Sequence, residues 1–419
     1  MRSTPKAQRL SIGLFGRRNV GKSSLLNALT GQDLAIVSPE AGTTTDPVEK
    51  PMELLPLGPV VFIDTAGLDD EGLVGQQRVH KSRLALGRVD IALVVAEGKV
   101  WTDHEASLLD EVVRRGIQPV VCFNKIDLGE PDPKLLRHLR SRGVAVVEVS
   151  ASQGWGIDRL REALFHAMPQ DFYESQVLMA DLVPPGKVAV LVMPVDSEAP
   201  RGRLILPQAQ AVRDLLDQRA ISVVCQDTEL PKALAALREP PALVVTDSQA
   251  FAQVSAATPP GVPLTSFSIL FARMQADLTE LARGTAGLAR LRDGDRVLLA
   301  EACTHHPTED DIARVKIPRW LEKKTGAQLG YEFQRGHEFP EDLTPWRAVV
   351  HCGGCMANRR EMRAKLWRAQ QQGVAMTNFG MTIAWSLGIL DRALGPFPEA
   401  LAAYHKAKAE VAATAEVDA

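Results

Sequence analysis

The chain has 419 residues, with 48 Lys+Arg against 51 Asp+Glu, 45% apolar and 24% charged residues. This is ordinary globular composition, long enough for two to four domains at roughly 100–200 residues each, and it lacks the bulk positive charge of a general nucleic-acid binder. No apolar run approaches the ~18–20 residues that span a bilayer, the basic segment 1–10 runs straight into a strand pattern rather than a secretory leader, and five cysteines, an odd number, point to a reducing cytoplasm rather than a disulfide scaffold.

Residues 10–16 read as a buried strand, followed by a glycine loop and an apolar-periodic helix through Leu25, Leu26 and Leu29. Apolar runs at 59–63, 90–96, 119–123 and 144–149 alternate with helical patterns over 103–115 and 133–142. That alternation predicts a parallel, doubly wound sheet ending near residue 168. A second α/β unit has strand-like runs at 187–195, 221–225 and 242–246, helices near 207–219 and 230–237, and a close around 259–261. A third carries one long helical pattern over 268–291, strands at 296–301 and 348–351, a helix over 359–372 and a last helix before Gly388. From about residue 400 the tail is rich in Ala, Lys and Glu, and is expected to be a fraying helix or disordered. The predicted class is therefore α/β in three domains, a P-loop unit followed by two Rossmann-like units.

Gly16-x4-Gly21-Lys22-Ser23 fits the phosphate-loop pattern in its strand–loop–helix context. The backbone from Gly16 through Asn19, Val20 and Gly21 to Ser24 would wrap a β-phosphate, Lys22 would neutralise the β- and γ-phosphates, and Ser23 would place its hydroxyl on Mg²⁺. Asp64-Thr65-Ala66-Gly67 follows an apolar strand, where Asp64 can hold Mg²⁺ through water and the Gly67 N–H can meet the γ-phosphate. Asn124-Lys125-Ile126-Asp127 follows another, where the Asp127 carboxylate can accept from guanine N1–H and the 2-amino group while Lys125 lies along the base. Ser150-Ala151-Ser152 follows the last strand and can bring a backbone N–H to guanine O6. Four motifs in order, each at a strand end, predict a domain that binds GTP and GDP.

In the third unit, Cys303-Thr304-His305 ends one strand-like run and His351-Cys352-Gly353-Gly354-Cys355 ends another. Strand C-terminal edges are where α/β sheets place ligands, so the two loops could converge. Three thiolates favour zinc or an iron–sulfur cluster, and the chemistry alone does not choose between them. Cys122 and Cys225 lie inside apolar strands and read as core thiols; His306 and His337 read as surface polar residues.

The loop Gly-Arg-Arg-Asn-Val-Gly-Lys-Ser-Ser and the segment Ala41-Gly42-Thr43-Thr44-Thr45-Asp46 resemble GTPases of the tRNA-modification and ribosome-assembly branch. By that resemblance Thr44 is the switch threonine on Mg²⁺ and Asn19 helps coordinate an activating K⁺; ordinary turn chemistry is the alternative for Asn19. Leu68 stands where many GTPases carry a water-orienting glutamine, so hydrolysis needs another group or cation. Joined to the Cys-x-His…His-Cys-x-x-Cys pattern, these motifs closely resemble one family, the HydF scaffold GTPases that mature FeFe-hydrogenase. The segments Asp196–Gln208, Val315–Leu321 and Gly336–Leu343 carry the resemblance through the rest of the chain. It implies a GTP-binding domain over 7–168, a dimerisation domain over 169–262, a cluster-binding domain over 263–405 and a tail over 406–419. It further implies K⁺-stimulated GTP hydrolysis with Lys22, Thr44 and Gly67 as catalytic groups, and a 4Fe–4S cluster on Cys303, Cys352 and Cys355. Candidates for the fourth cluster position are His305, His351, Asp196 and an exogenous ligand. The implied partners are radical-SAM maturases that supply a two-iron precursor, apo FeFe-hydrogenase that receives it, and a second copy of the chain; neither nucleic acid nor membrane is expected. An RNA-directed GTPase with a structural zinc site is the alternative.

Overall fold

A computed structural model describes residues 8–31, 48–65, 82, 84–170, 172, 177–194, 204–302, 311–336 and 339–417. The chain divides into two units, Met1–Glu174 and Ser175–Ala419. In the first, β1 (Leu10–Phe15), β2 (Val48–Leu54), β3 (Gly58–Asp64), β4 (Ile91–Glu97), β5 (Gln118–Asn124) and β6 (Ala145–Glu148) form one sheet in the order β2-β3-β1-β4-β5-β6. All neighbours run parallel except β2, which pairs antiparallel with β3.

Strands covered on both faces should be apolar throughout, with successive side chains serving opposite layers. Leu10, Ile12 and Leu14 of β1, Ile91, Leu93 and Val95 of β4, and Val120 and Cys122 of β5 join one core. Helices Lys22–Thr30 and Ile157–His166 cover that core through Leu25, Leu26, Leu29, Ile157, Leu160 and Leu164. Phe15, Ala92, Val94, Ala96, Val121 and Phe123 join the opposite core, beneath helices Asp103–Arg114 and Pro133–Ser141. Cys122 is fully buried in its strand, and burial pushes its thiol far up.

The second unit holds two four-stranded parallel sheets. β7 (Val188–Val192), β8 (Ile221–Cys225), β9 (Leu243–Thr246) and β10 (Leu264–Ser266) are ordered β10-β9-β7-β8. β11 (Arg296–Glu301), β12 (Gly330–Arg335), β13 (Ala348–His351) and β14 (Ala375–Asn378) are ordered β12-β11-β13-β14. One continuous hydrophobic core runs through both sheets. Helix Phe267–Gln275, buried over most of its surface, touches helix Leu206–Asp217 beside the first of these sheets and helix Arg359–Gln371 beside the second.

The long helical pattern over 268–291 is two helices, Phe267–Gln275 and Leu278–Gly287. Ala276 is extended, and the Asp277 carboxylate accepts from Thr279 N (2.9 Å) and Glu280 N (3.2 Å), starting a new helix where hydrophobic periodicity alone saw continuation. The tail is a helix, Pro398–Val417, that buries Ala400, Ala403 and Tyr404.

Candidate nucleotide site and cysteine site

β1 ends in a loop whose backbone leaves ordinary conformational space at three places. Gly16 has φ 152°, and a Cβ there would lie 2.2 Å from the Val95 carbonyl oxygen. Asn19, exposed, sits left-handed at φ 62°, and Gly21, at φ 92°, is the N-cap of helix Lys22–Thr30. Having no side chain, Gly21 leaves the first-turn N–H groups, including those of Ser23 and Ser24, to an outside acceptor. Lys22 Nζ donates to the Gly16 (2.8 Å) and Arg17 (2.9 Å) carbonyls, folding its stem over the loop. Asp64 closes β3, one strand away. Burial raises its carboxyl pKa, and the ammonium groups of Lys22 and Lys50 pull it partly back.

Asn124, at the end of β5 and 2% exposed, ties the phosphate loop to the base-binding loop. Its Nδ2 donates to the Val20 carbonyl (2.9 Å), and its Oδ1 accepts from Ala151 N (3.0 Å). Lys125 is left-handed at φ 60°, with Nζ 3.6 Å from the Glu97 carboxylate. The Ser150 hydroxyl donates to Asp127 Oδ1 (2.5 Å), which orients that carboxylate. The structure thus gathers Gly16, Val20, Gly21, Lys22, Asp64, Asn124, Asp127, Ser150 and Ala151 at one edge of the first sheet. Thr44, Gly67 and Leu68 lie outside the described residues.

Sequence reasoning missed a brace beneath this loop. Thr102 and Glu105 form a reciprocal capping box on helix Asp103–Arg114. Glu105, 1% exposed, accepts from Thr102 N (2.9 Å) and Oγ1 (2.6 Å) with one oxygen, and from Arg17 Nε (2.5 Å) with the other. The Thr-x-x-Glu spacing was a readable signal for the cap; the Arg17 partner, 88 residues away, was not.

In the second unit β11 and β13 are neighbours, with Ala300 opposite His351. Ala302, the residue before Cys303, donates its N–H to Cys352 Sγ (3.2 Å), and Cys352 N donates to the Ala300 carbonyl (2.9 Å). Gly354 is left-handed at φ 71°, and a Cβ there would crowd Met362 at 3.1 Å. Burial pushes the Cys352 thiol up, while N–H groups of Ala302 and Gly354 and the charge of Lys365 stabilise its thiolate.

His351 is 1% exposed and turned into the protein. Its Nδ1 meets the Cys352 carbonyl (2.8 Å) and its Nε2 meets Lys365 Nζ (3.3 Å). A carbonyl only accepts and an ammonium only donates, so Nδ1 carries the proton and Nε2 is the acceptor. Burial first, then the Lys365 charge, holds the imidazole pKa down at about 3, and the ring is neutral. Lys365 and Glu361 form a pair 2.9 Å apart, each side chain 5% exposed; sequence reasoning had singled out neither. Cys303, His305 and Asp196 lie outside the described residues, as do His306 and His337. Among the described residues no three His, Cys, Asp or Glu side chains converge on one point, and no helix is long and apolar enough to cross a membrane.

Three family models match this chain. Residues 11–125 match the 50S ribosome-binding GTPase model. Residues 178–276 match the hydrogen maturase F dimerization domain and residues 279–396 its tetramerization domain, together more than half of the chain. A tRNA modification GTPase MnmE from Aromatoleum aromaticum is 34% identical over 172 residues, 41% of this chain and 37% of that protein. A GTPase Der from Dinoroseobacter shibae is 31% identical over 182 residues, 40% of this chain and 37% of that protein. The chain thus spans about a third of the length of the curated relatives it matches. Among solved structures, the G domain of the FeoB iron transporter of T. maritima aligns over 38% of this chain and 98% of its own, at 25% identity and TM-score 0.30.

Proposed function

The chain belongs to the hydrogen maturase F family, and from that premise we propose that it is a GTP-hydrolysing scaffold that holds a 4Fe–4S cluster. In this reading it receives the two-iron H-cluster precursor from radical-SAM maturases and delivers it to apo FeFe-hydrogenase, acting in the cytoplasm as a homodimer. The observation that carries the reading is the hydrogen bond from Ala302 N to Cys352 Sγ (3.2 Å), because the next residue is Cys303. It ties the end of β11, which precedes Cys303 in sequence, to the loop that begins at Cys352. The donor set fits a cluster: soft thiolates on a glycine loop, with N–H donors to sulfur of the kind that stabilise bound clusters. Cys303, Cys352 and Cys355 would hold it, leaving the fourth position to His305, Asp196 or an outside ligand; both His351 nitrogens are already engaged. When bound, a three-thiolate cluster supplies an exchangeable iron corner to which the two-iron cargo can attach.

At the nucleotide, Lys22 neutralises the phosphates, Ser23, Thr44 and Asp64 serve Mg²⁺, and Gly67 meets the γ-phosphate. Asn19 assists a K⁺ ion, offsetting the aliphatic Leu68. Asn124, Lys125, Asp127, Ser150 and Ala151 select guanine. GTP state times partner exchange rather than driving cluster chemistry. Anaerobic reconstitution with iron and sulfide tests the scaffold. A brown protein with a broad visible band, at about four irons per chain, is expected; a colourless protein binding one zinc would overturn it and favour a GTPase with a structural metal.

A further inference from the structure

A chain of buried charge lies beneath the Cys352–Cys355 loop, and holding thiolates does not require it. Glu361 and Lys365 stand one turn apart on helix Arg359–Gln371, their charges 2.9 Å apart and their side chains 5% exposed. Lys365 Nζ reaches His351 Nε2 at 3.3 Å, and His351 Nδ1 reaches the Cys352 carbonyl at 2.8 Å. The ammonium also lies 5.5 Å from the centre of the Phe339 ring. An apolar chain of similar length could pack on Phe339 without the desolvation penalty that an ammonium carries in such a place. The ammonium's charge acts on the Cys352 sulfur, opposed there by the buried Glu301 carboxylate at the end of β11.

We propose that Lys365 is a positioning and charge-setting residue of the cysteine site. Its ammonium holds His351 on the Cys352 carbonyl and away from iron, and its charge, moderated by Glu361, raises the reduction potential of a cluster bound through Cys352. The inference rests on the scaffold reading. One-electron reduction of a 4Fe–4S cluster, from its 2+ to its 1+ state, adds a negative charge. A fixed cation in a poorly solvated place stabilises that product, and the paired carboxylate opposes it.

The experiment uses the full chain, reconstituted anaerobically with ferrous iron and sulfide and titrated with dithionite under EPR detection. Lys365→Met should lower the midpoint potential, Lys365→Arg should bring it back toward the native value, and Glu361→Gln should raise it. GTP turnover should be unchanged in all three. A merely structural brace predicts cluster loss in the variants without opposite shifts. If Lys365→Met does not load, Glu361→Gln decides: an upward shift upholds the inference and an unmoved potential overturns it. A histidine nitrogen coupling that vanishes in His351→Gln would overturn the positioning half. A native chain that takes up no cluster overturns the scaffold reading and this inference together, whereas a loaded chain with unmoved potentials overturns the inference alone.

Discussion

Asn124 joins two motifs that sequence lists separately, and its removal should be felt in both. Asn124→Ala would leave the Val20 carbonyl and the Ala151 N–H without their partner at a site 2% exposed. Leaving buried polar groups unmet costs about 1–3 kcal/mol. Thermal unfolding of the first unit should move down accordingly, with weaker GTP affinity alongside. Gly21 guards the same junction, since a Cβ on it would meet Asn124 Nδ2 at 2.3 Å. In the guanine-binding role proposed for it, Asp127 acts on the ligand instead. Ser150 already donates to one of its oxygens at 2.5 Å, so the carboxylate is aimed before guanine arrives. Asp127→Asn replaces acceptors by a mismatched amide, and hydrogen bonds to charged groups are worth about 1.5–3 kcal/mol. Roughly a 10- to 100-fold loss of GTP affinity is therefore expected by calorimetry, with unfolding little changed. Asn19 is the residue proposed to meet the cation: it is exposed and left-handed at φ 62°, a conformation that asparagine enters more readily than other non-glycine residues. Replacing K⁺ by Na⁺ should slow turnover, and equal rates in the two salts would remove K⁺ from the site while leaving GTP hydrolysis untouched.

Helix Asp103–Arg114 is fastened to the phosphate loop through its own cap. Glu105→Ala removes the reciprocal half of the capping box and leaves Arg17 facing a buried space whose carboxylate has gone. Breaking one partner of a buried ion pair can cost 3–5 kcal/mol, although Arg17 is 21% exposed and keeps some solvation. A destabilisation of about 2–3 kcal/mol is expected, measured by chemical denaturation, together with a raised KM for GTP because the Arg17 carbonyl also holds Lys22. Glu105→Gln, which keeps the cap but not the charge, should recover part of the stability. The inner parallel strands were legible as unbroken apolar runs because both of their faces are covered. The polar edge strands β2, with its Pro51, and β12 were not, since half-exposed strands carry mixed residues. The three-residue β10 and four-residue β14 offered too little pattern to read. The same contrast holds in the sites. Motifs contiguous in sequence announced the nucleotide loops, whereas burial of Glu361 and Lys365 could not be read from so polar a helix, Arg-Arg-Glu-Met-Arg-Ala-Lys-Leu-Trp-Arg-Ala-Gln-Gln.

Each of the two units carries its own hydrophobic core: the cores of the first sheet share no residue with the one that runs through the second unit. Chemistry housed in one should therefore survive the loss of chemistry in the other. Cys352→Ser should impair iron loading while GTP turnover continues at the native rate, because the nucleotide-site residues described above all lie in the first unit. The reciprocal variant is the sharper measurement. In Lys22→Ala the side chain lost is one whose described contacts are with the phosphate loop's own carbonyls. Removing its positive charge should weaken nucleotide binding and transition-state stabilisation together, abolishing hydrolysis. Cluster loading, in the proposed scaffold role, needs the thiolates of Cys303, Cys352 and Cys355 and should be native. In cells the variant should mature hydrogenase poorly, since nucleotide state would no longer time the exchange of partner proteins. In a purified assay, native and Lys22→Ala scaffolds carrying equal amounts of the two-iron precursor, without GTP, should activate apo-hydrogenase equally. If the native scaffold delivers its cargo and a Lys22→Ala scaffold with native circular dichroism does not, delivery depends on the nucleotide site, and the division of labour between the two units fails.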